Sequence, residues 1–164
     1  MSYSVWCLFS KKDISKLLIT QLYLKKKFLG PIFPLHLTLS FNFKDSERNL
    51  KKKLLSFRKS KKKIYLKTSG YGYKNKKFQS IFLKIKLSKN LISLKKKIDE
   101  IYKPNKHYFF PHISLFYGNI NSKTKKKEIK NFLILKNKFL ITHICLAKND
   151  EKKLKWKIIK KVSV

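Results

Sequence analysis

Two segments of the chain carry the same chemical pattern. Pro34-Leu35-His36-Leu37-Thr38-Leu39 and Pro111-His112-Ile113-Ser114-Leu115 both run histidine, apolar residue, hydroxyl, apolar residue inside a β-prone stretch. Side chains on a strand alternate between faces, which puts His36 with Thr38 on one side and Leu35, Leu37 and Leu39 on the other. His112 and Ser114 share a face in the same way, opposite Ile113 and Leu115. Each strand can thus bury one face and present an imidazole beside a hydroxyl on the other. Imidazole titrates near neutrality, so two of them across a groove can serve as base and acid in one step. The hydroxyls of Thr38 and Ser114 can donate to phosphoryl oxygens where negative charge accumulates. Neither motif is accompanied by a carboxylate, and the chain has no P-loop, zinc-type His/Cys cluster or Gly-rich dinucleotide turn. The chemistry that fits is in-line hydrolysis of a cyclic phosphate without metal or cofactor. One histidine deprotonates water while the other protonates the departing ribose oxygen.

A single His-x-Ser/Thr is weak evidence, because a histidine on a strand is more often structural. The pair is stronger: both histidines have apolar neighbours at the same offsets and occupy matching places in the two halves of the chain. The other two histidines act as controls. His107 lies in a polar approach segment, and His143 stands on a strand as Thr-His-Ile-Cys, without the second hydroxyl; both read as structural or surface residues.

Several elements must position the two motifs. Tyr3 to Phe9 reads as a strand, and Asp13 to Lys27 has near-helical apolar spacing ended by Gly30-Pro31. The first histidine strand follows as Leu35 to Phe43. Asp45-Ser46-Glu47 offers a helix start, with the helix running to about Ser60. Ile64 to Thr68 and Phe78 to Leu87 read as strands separated by a turn at Ser69 to Tyr73. Ser88 caps a helix through Ile101, broken at Lys103-Pro104-Asn105. The second histidine strand, Phe110 to Tyr117, precedes a short helix over Ser122 to Phe132. Phe139 to Ala147 and Leu154 to Val162 then form a hairpin turning at Lys148 to Glu151. The order implies a weak internal duplication. It predicts a single bilobal α+β domain over residues 1–164, with two antiparallel β-sheets forming a central groove and helices on the outside.

Composition sets further bounds. A chain of 164 residues, 43% hydrophobic, suits one domain with an ample core. No apolar run approaches the roughly 18–20 residues of a membrane span. The N-terminus lacks the order of a signal peptide, so a cytoplasmic protein is expected. Cys7 and Cys145 sit in apolar strand-like runs and read as reduced, buried thiols. The formal charge is +34, from 42 Lys+Arg against 8 Asp+Glu, and only Arg48 and Arg58 are arginine. Codon bias accounts for part of that lysine, but not for the scarcity of acidic residues. A field of this sign attracts nucleotides and nucleic acid in a salt-dependent way.

The paired His-Leu-Thr-Leu and His-Ile-Ser-Leu strands resemble those of the 2H phosphoesterase superfamily, and within it the 2',3'-cyclic nucleotide phosphodiesterase (CPDase-like) family. Tyr3-Ser4-Val5-Trp6, Phe78-Gln79-Ser80-Ile81-Phe82-Leu83 and Pro111 to Gly118 are similar to that group's opening, middle and second-motif segments, so the resemblance covers most of the chain. It implies catalysis by His36 and His112, phosphate binding by Thr38 and Ser114, and contact of Trp6 and Tyr117 with the base or sugar. It also implies a cyclic nucleotide or ADP-ribose cyclic phosphate as substrate and a 2'-phosphate as product. The near-symmetric pair of motifs leaves open which histidine is base and which acid, with a lean to His112 as base. The branch acting on RNA cyclic ends usually follows its motifs with Phe-Leu-Gly and Ala-Arg, neither of which is present here. An RNA-end phosphodiesterase or ligase-like relative, which the lysine excess favours, and a non-catalytic basic RNA-binding module are the alternatives. A monomer with no membrane partner is expected.

Overall fold

The computed structural model describes residues 2–57, 63–105, 108–132 and 138–164. Strand β1 (Ser2–Phe9), helix α1 (Lys11–Phe28), β2 (Leu37–Phe41), α2 (Glu47–Leu55) and β3 (Tyr65–Tyr73) form the first half. The second half is β4 (Ile81–Ile85), α3 (Lys89–Tyr102), β5 (His112–Phe116), α4 (Ser122–Lys130), β6 (Lys138–Asp150) and β7 (Lys155–Ser163). The order of strands and helices is the one expected from the sequence. The strands pair antiparallel as β1-β2-β5-β4-β3-β6-β7, and β1 also pairs with β6. The expected two sheets are therefore joined, through the β2–β5 and β3–β6 pairings, into one seven-stranded array. No helix among the described residues is long and apolar enough to cross a membrane.

Alternation along the strands separates two apolar regions. Val5, Cys7 and Phe9 enter the main core with Leu37, Leu39, Ile113 and Leu115, where they meet Leu17 and Leu24 of α1 and Leu91, Leu94 and Ile98 of α3. Trp6 points the other way, into a smaller cluster with Cys145 and Ala147. Leu35, Leu37 and Leu39 are all buried; at roughly 1.5–3 kcal/mol per fully buried side chain, they hold the strand that carries His36. Both cysteines are buried free thiols, as expected. The helices start where side chains can cap them: Ser10, Ser46, Ser88 and Asn121 each accept a hydrogen bond from the backbone N–H three residues on.

Four local expectations need correction. Ser69 to Tyr73 is not a turn, because β3 runs through it. Gly70, at φ 90°, marks the point where the β3–β4 register shifts, so the glycine serves a bulge. The strand expected from Phe78 begins only at Ile81, after a 3-10 turn at Lys77–Gln79. The last hairpin turns later than expected, since Lys148, Asn149 and Asp150 still pair with Lys157, Trp156 and Lys155. Helix α2 ends at Leu55; positions 58–60, to which it was expected to run, lie outside the described residues, as does His107.

A second bulge matters more. Val5 pairs with Ser40 but Trp6 pairs with Thr38, so β2 gains a residue at Leu39. Ser40 turns away from the Thr38 face and donates to Asp99 Oδ1 at 3.0 Å, tying β2 to α3. Lys95 closes the link through its ion pair with Asp99.

Candidate active site

Register alone brings the two motifs together. Leu37 pairs with Ile113 across β2 and β5, and both side chains enter the core. One position to either side, His36 then stands opposite Ser114, and Thr38 opposite His112, with all four on the other face. The two histidine strands, expected to confront each other across a groove, are instead hydrogen-bonded neighbours. The outcome is still one cleft, of about 240 Å³, lined by His36, Thr38, His112 and Ser114 together with Trp6 and Tyr117. His143 lies elsewhere on β6, its Nδ1 3.0 Å from Thr142 Oγ1.

The imidazoles are held in matching ways. His36 Nδ1 lies 2.6 Å from the Pro34 carbonyl oxygen, and His112 Nδ1 lies 2.8 Å from that of Phe110. A carbonyl oxygen can only accept, so in each neutral ring Nδ1 carries the hydrogen and Nε2 is the atom free to take a proton. This clamp comes from the residue two positions upstream in both motifs. The intervening Leu35, where the second motif has proline next to its histidine, does not disturb it.

Electrostatics separates the pair. Burial drives the His36 pKa down to about 4; the hydrogen bond to Pro34 opposes this and the nearby His112 adds to it. His112 is also lowered by burial, against its Phe110 hydrogen bond and with help from Lys74. Both rings are therefore base-competent at neutral pH, and a phosphate anion beside them favours protonation of one.

Aromatic side chains build the walls. Trp6, only 2% exposed, stacks on His36 with centroids 3.6 Å apart and planes 12° apart. Its nearer face is thus occupied by the imidazole, and it fixes that ring as well as lining the cleft. Tyr117 stacks on Phe33 at 3.9 Å and meets Trp156 at 5.3 Å. Burial pushes the Tyr117 phenol up to about 12, against the effect of the neighbouring Ser114 hydroxyl.

Sequence reasoning missed Trp156, Phe78 and Asn149, which also line the cleft. The one available signal was a bulky aromatic between two lysines on a terminal strand, Lys155-Trp156-Lys157. Trp156 is only half-buried, which leaves part of its surface to a ligand. Asn149 Nδ2 donates to Ser4 Oγ at 2.9 Å, while its Oδ1 is buried with no hydrogen-bond partner among the described residues. A ligand donor would satisfy that oxygen. Among the described residues, no group of three or more His, Cys, Asp or Glu side chains is placed to hold a metal ion.

The architecture is that of the LigT-type 2H phosphoesterases. The E. coli LigT crystal structure in apo form matches with a TM-score of 0.69 at 16% identity, over 99% of this chain and 96% of that one. TT0787 of Thermus thermophilus matches with a TM-score of 0.67 at 17% identity, over 99% and 97%. E. coli LigT complexed with 3'-AMP matches at 0.67 and 16%, over 99% and 97%; LigT is also solved with ATP and with NADP+. The family model for cyclic phosphodiesterase-like proteins matches residues 1–164, and the chain belongs to that family. Family and fold together mark it as a phosphoesterase. No curated protein matches it.

Proposed function

We propose that the protein opens 2',3'-cyclic phosphates of nucleotides to the 2'-phosphomonoester by acid–base catalysis at His36 and His112, without a metal. The observation that carries this reading is the pair of imidazoles, each locked through Nδ1 to a carbonyl and each beside a hydroxyl on one face of adjacent strands. One neutral Nε2 takes a proton from water as the water oxygen attacks phosphorus. The bond from phosphorus to the 3'-oxygen breaks, and that oxygen takes a proton from the other, protonated ring. Thr38 and Ser114 donate to the two non-bridging oxygens, where charge rises in the transition state. Trp6 supports His36, while Tyr117, with Phe78 and Trp156 around it, forms the surface against which base and ribose lie. The 3'-AMP, ATP and NADP+ complexes of LigT support a nucleotide as ligand.

The depressed His36 pKa favours that ring as the base, because the more weakly basic imidazole stays neutral while its partner holds the proton. This goes against the lean to His112 as base in a pair that the sequence left near-symmetric. The test is hydrolysis of a 2',3'-cyclic mononucleotide with excess chelator, beside the His36→Ala/His112→Ala double variant. Turnover that ignores the chelator and disappears in the variant is expected. Full activity in the variant, or loss with the chelator, overturns the reading.

A further inference from the structure

Helix α1 is apolar on two sides, and the fold covers only one of them. Leu17, Gln21 and Leu24 are buried, and the two leucines join the main core with Leu37 and Ile113. On the outer side Leu18 is 39% exposed, Ile19 68% and Leu22 55%, and Leu29, just past the helix, is 91% exposed. Helix α4 shows what an outer face of this lysine-rich chain otherwise carries: its exposed positions are Lys123, Lys126, Lys127 and Lys130. Lysines also close the apolar patch on α1 at both ends. Lys11 and Lys12 are exposed at its start and Lys25 and Lys26 near its end, and none of the four is ion-paired among the described residues. Lys27, by contrast, is held by Glu128. Steps of three and four residues carry Lys11, Ser15, Leu18, Leu22 and Lys25 along one side of the helix. At a rise of about 1.5 Å per residue, the two lysine pairs stand about 20 Å apart with the leucines between them.

Charge selects what can cover this face. Two copies of the chain paired through it would set lysines against lysines in either orientation of the helices, on bodies of formal charge +34. An acidic protein would need an apolar trough flanked by carboxylates about 20 Å apart. An anionic bilayer offers both features at every point of its surface. Its headgroup phosphates lie above an acyl interior, so the leucines can enter the boundary while the lysine stems reach back to the phosphates. Such docking leaves the cleft open, because α1 packs on the core face of the strands and the imidazoles stand on the other.

We propose that the outer face of α1 is a docking surface for anionic phospholipid membranes, against the expectation of no membrane partner. The helix lies in the plane of the interface rather than crossing it. The test is flotation with vesicles of phosphatidylcholine alone and of phosphatidylcholine with about 30% phosphatidylserine. Wild type should float with the anionic vesicles and not with the neutral ones. Diffuse attraction of a basic protein would do the same, so the apolar contact decides. Leu18→Gln/Leu22→Gln, which changes neither the charge nor the core, should lower partitioning by about tenfold or more. Lys25→Ala/Lys26→Ala should lower it by about fivefold per lysine, the equivalent of about 1 kcal/mol each near an anionic surface. Lys96→Ala/Lys97→Ala, which removes the same charge from an exposed part of α3, should have a clearly smaller effect. The far-ultraviolet spectrum and unfolding midpoint should match wild type in all three variants. Wild type that floats with neither vesicle, a glutamine variant that floats as wild type does, or equal loss in the two lysine variants overturns the proposal. Without flotation the face falls to an acidic protein or, if sedimentation shows a dimer that Leu18→Gln/Leu22→Gln dissolves, to a second copy.

Discussion

Replacing His36 with asparagine should flatten the acid side of the stability profile. The ring is buried with a pKa of about 4, against an ordinary value of 6.5 in the unfolded chain. Between those values the unfolded state binds more protons than the folded one, so stability falls as pH drops through the window and is complete above it. The linkage relation gives a loss of about 2 kcal/mol at about pH 5 and about 3 kcal/mol at about pH 4. A loss of about 2 kcal/mol corresponds to about 4–8 °C in Tm for a chain of this length. The asparagine variant gives up a fixed amount at every pH but has no proton to gain. Its stability gap from wild type should therefore narrow by about 2 kcal/mol between about pH 7 and about pH 5. Urea unfolding followed by circular dichroism measures this, in a phosphate-free buffer so that no anion favours the imidazolium. The other titrating groups are common to both proteins and largely cancel. A gap that stays constant with pH would show that His36 is not held neutral by burial, and the choice of it as base would fall with that result.

Other substitutions probe the phosphate site, the cleft wall and the core separately. Thr38→Val and Ser114→Ala should each lower kcat by about 10²-fold with the far-ultraviolet spectrum unchanged, if their hydroxyls meet the developing charge; wild-type kcat in both would remove them from the phosphate site. Trp6→Leu should cost about 3 kcal/mol in denaturant unfolding through the space it leaves, and should lower turnover by freeing His36, while Trp6→Phe retains most of both. Gly30→Ala should destabilise by about 1–3 kcal/mol, because the new Cβ would lie 2.2 Å from Cε2 of Phe116 in the core. An unfolding midpoint equal to wild type would mean that Phe116 can move aside.

Much of this was legible because strand periodicity is strong in the relevant segments. The alternation in Leu35 to Leu39 and in Ile113 to Leu115 determines which side chains go to the core, and so which residues reach the cleft. What periodicity cannot supply is the neighbour of a strand. That β2 lies beside β5 follows from long-range pairing, for which Leu37 and Ile113 carry no individual mark. Bulges are hidden for a related reason. Ser40 continues the alternation of Thr38 in sequence, yet the extra residue at Leu39 turns it toward Asp99. Gly70 reads as a turn residue because the conformation a bulge asks of it is also one that turns use. Trp156 and Phe78 reach the cleft from a terminal strand and a 3-10 turn, and nothing near them in sequence refers to the histidines.

The matched carbonyl clamps have a consequence for the catalytic cycle. A turnover by the proposed route takes one proton onto the first ring and removes one from the second. The site therefore ends each turnover as the protonation mirror image of the site that began it. That image is the starting arrangement for the opposite reaction, closure of a 2'-phosphate and a free 3'-hydroxyl into a ring. Because both rings are tied down at Nδ1, neither has to flip to change roles, and the forward cycle resumes once solvent has carried a proton from one Nε2 to the other.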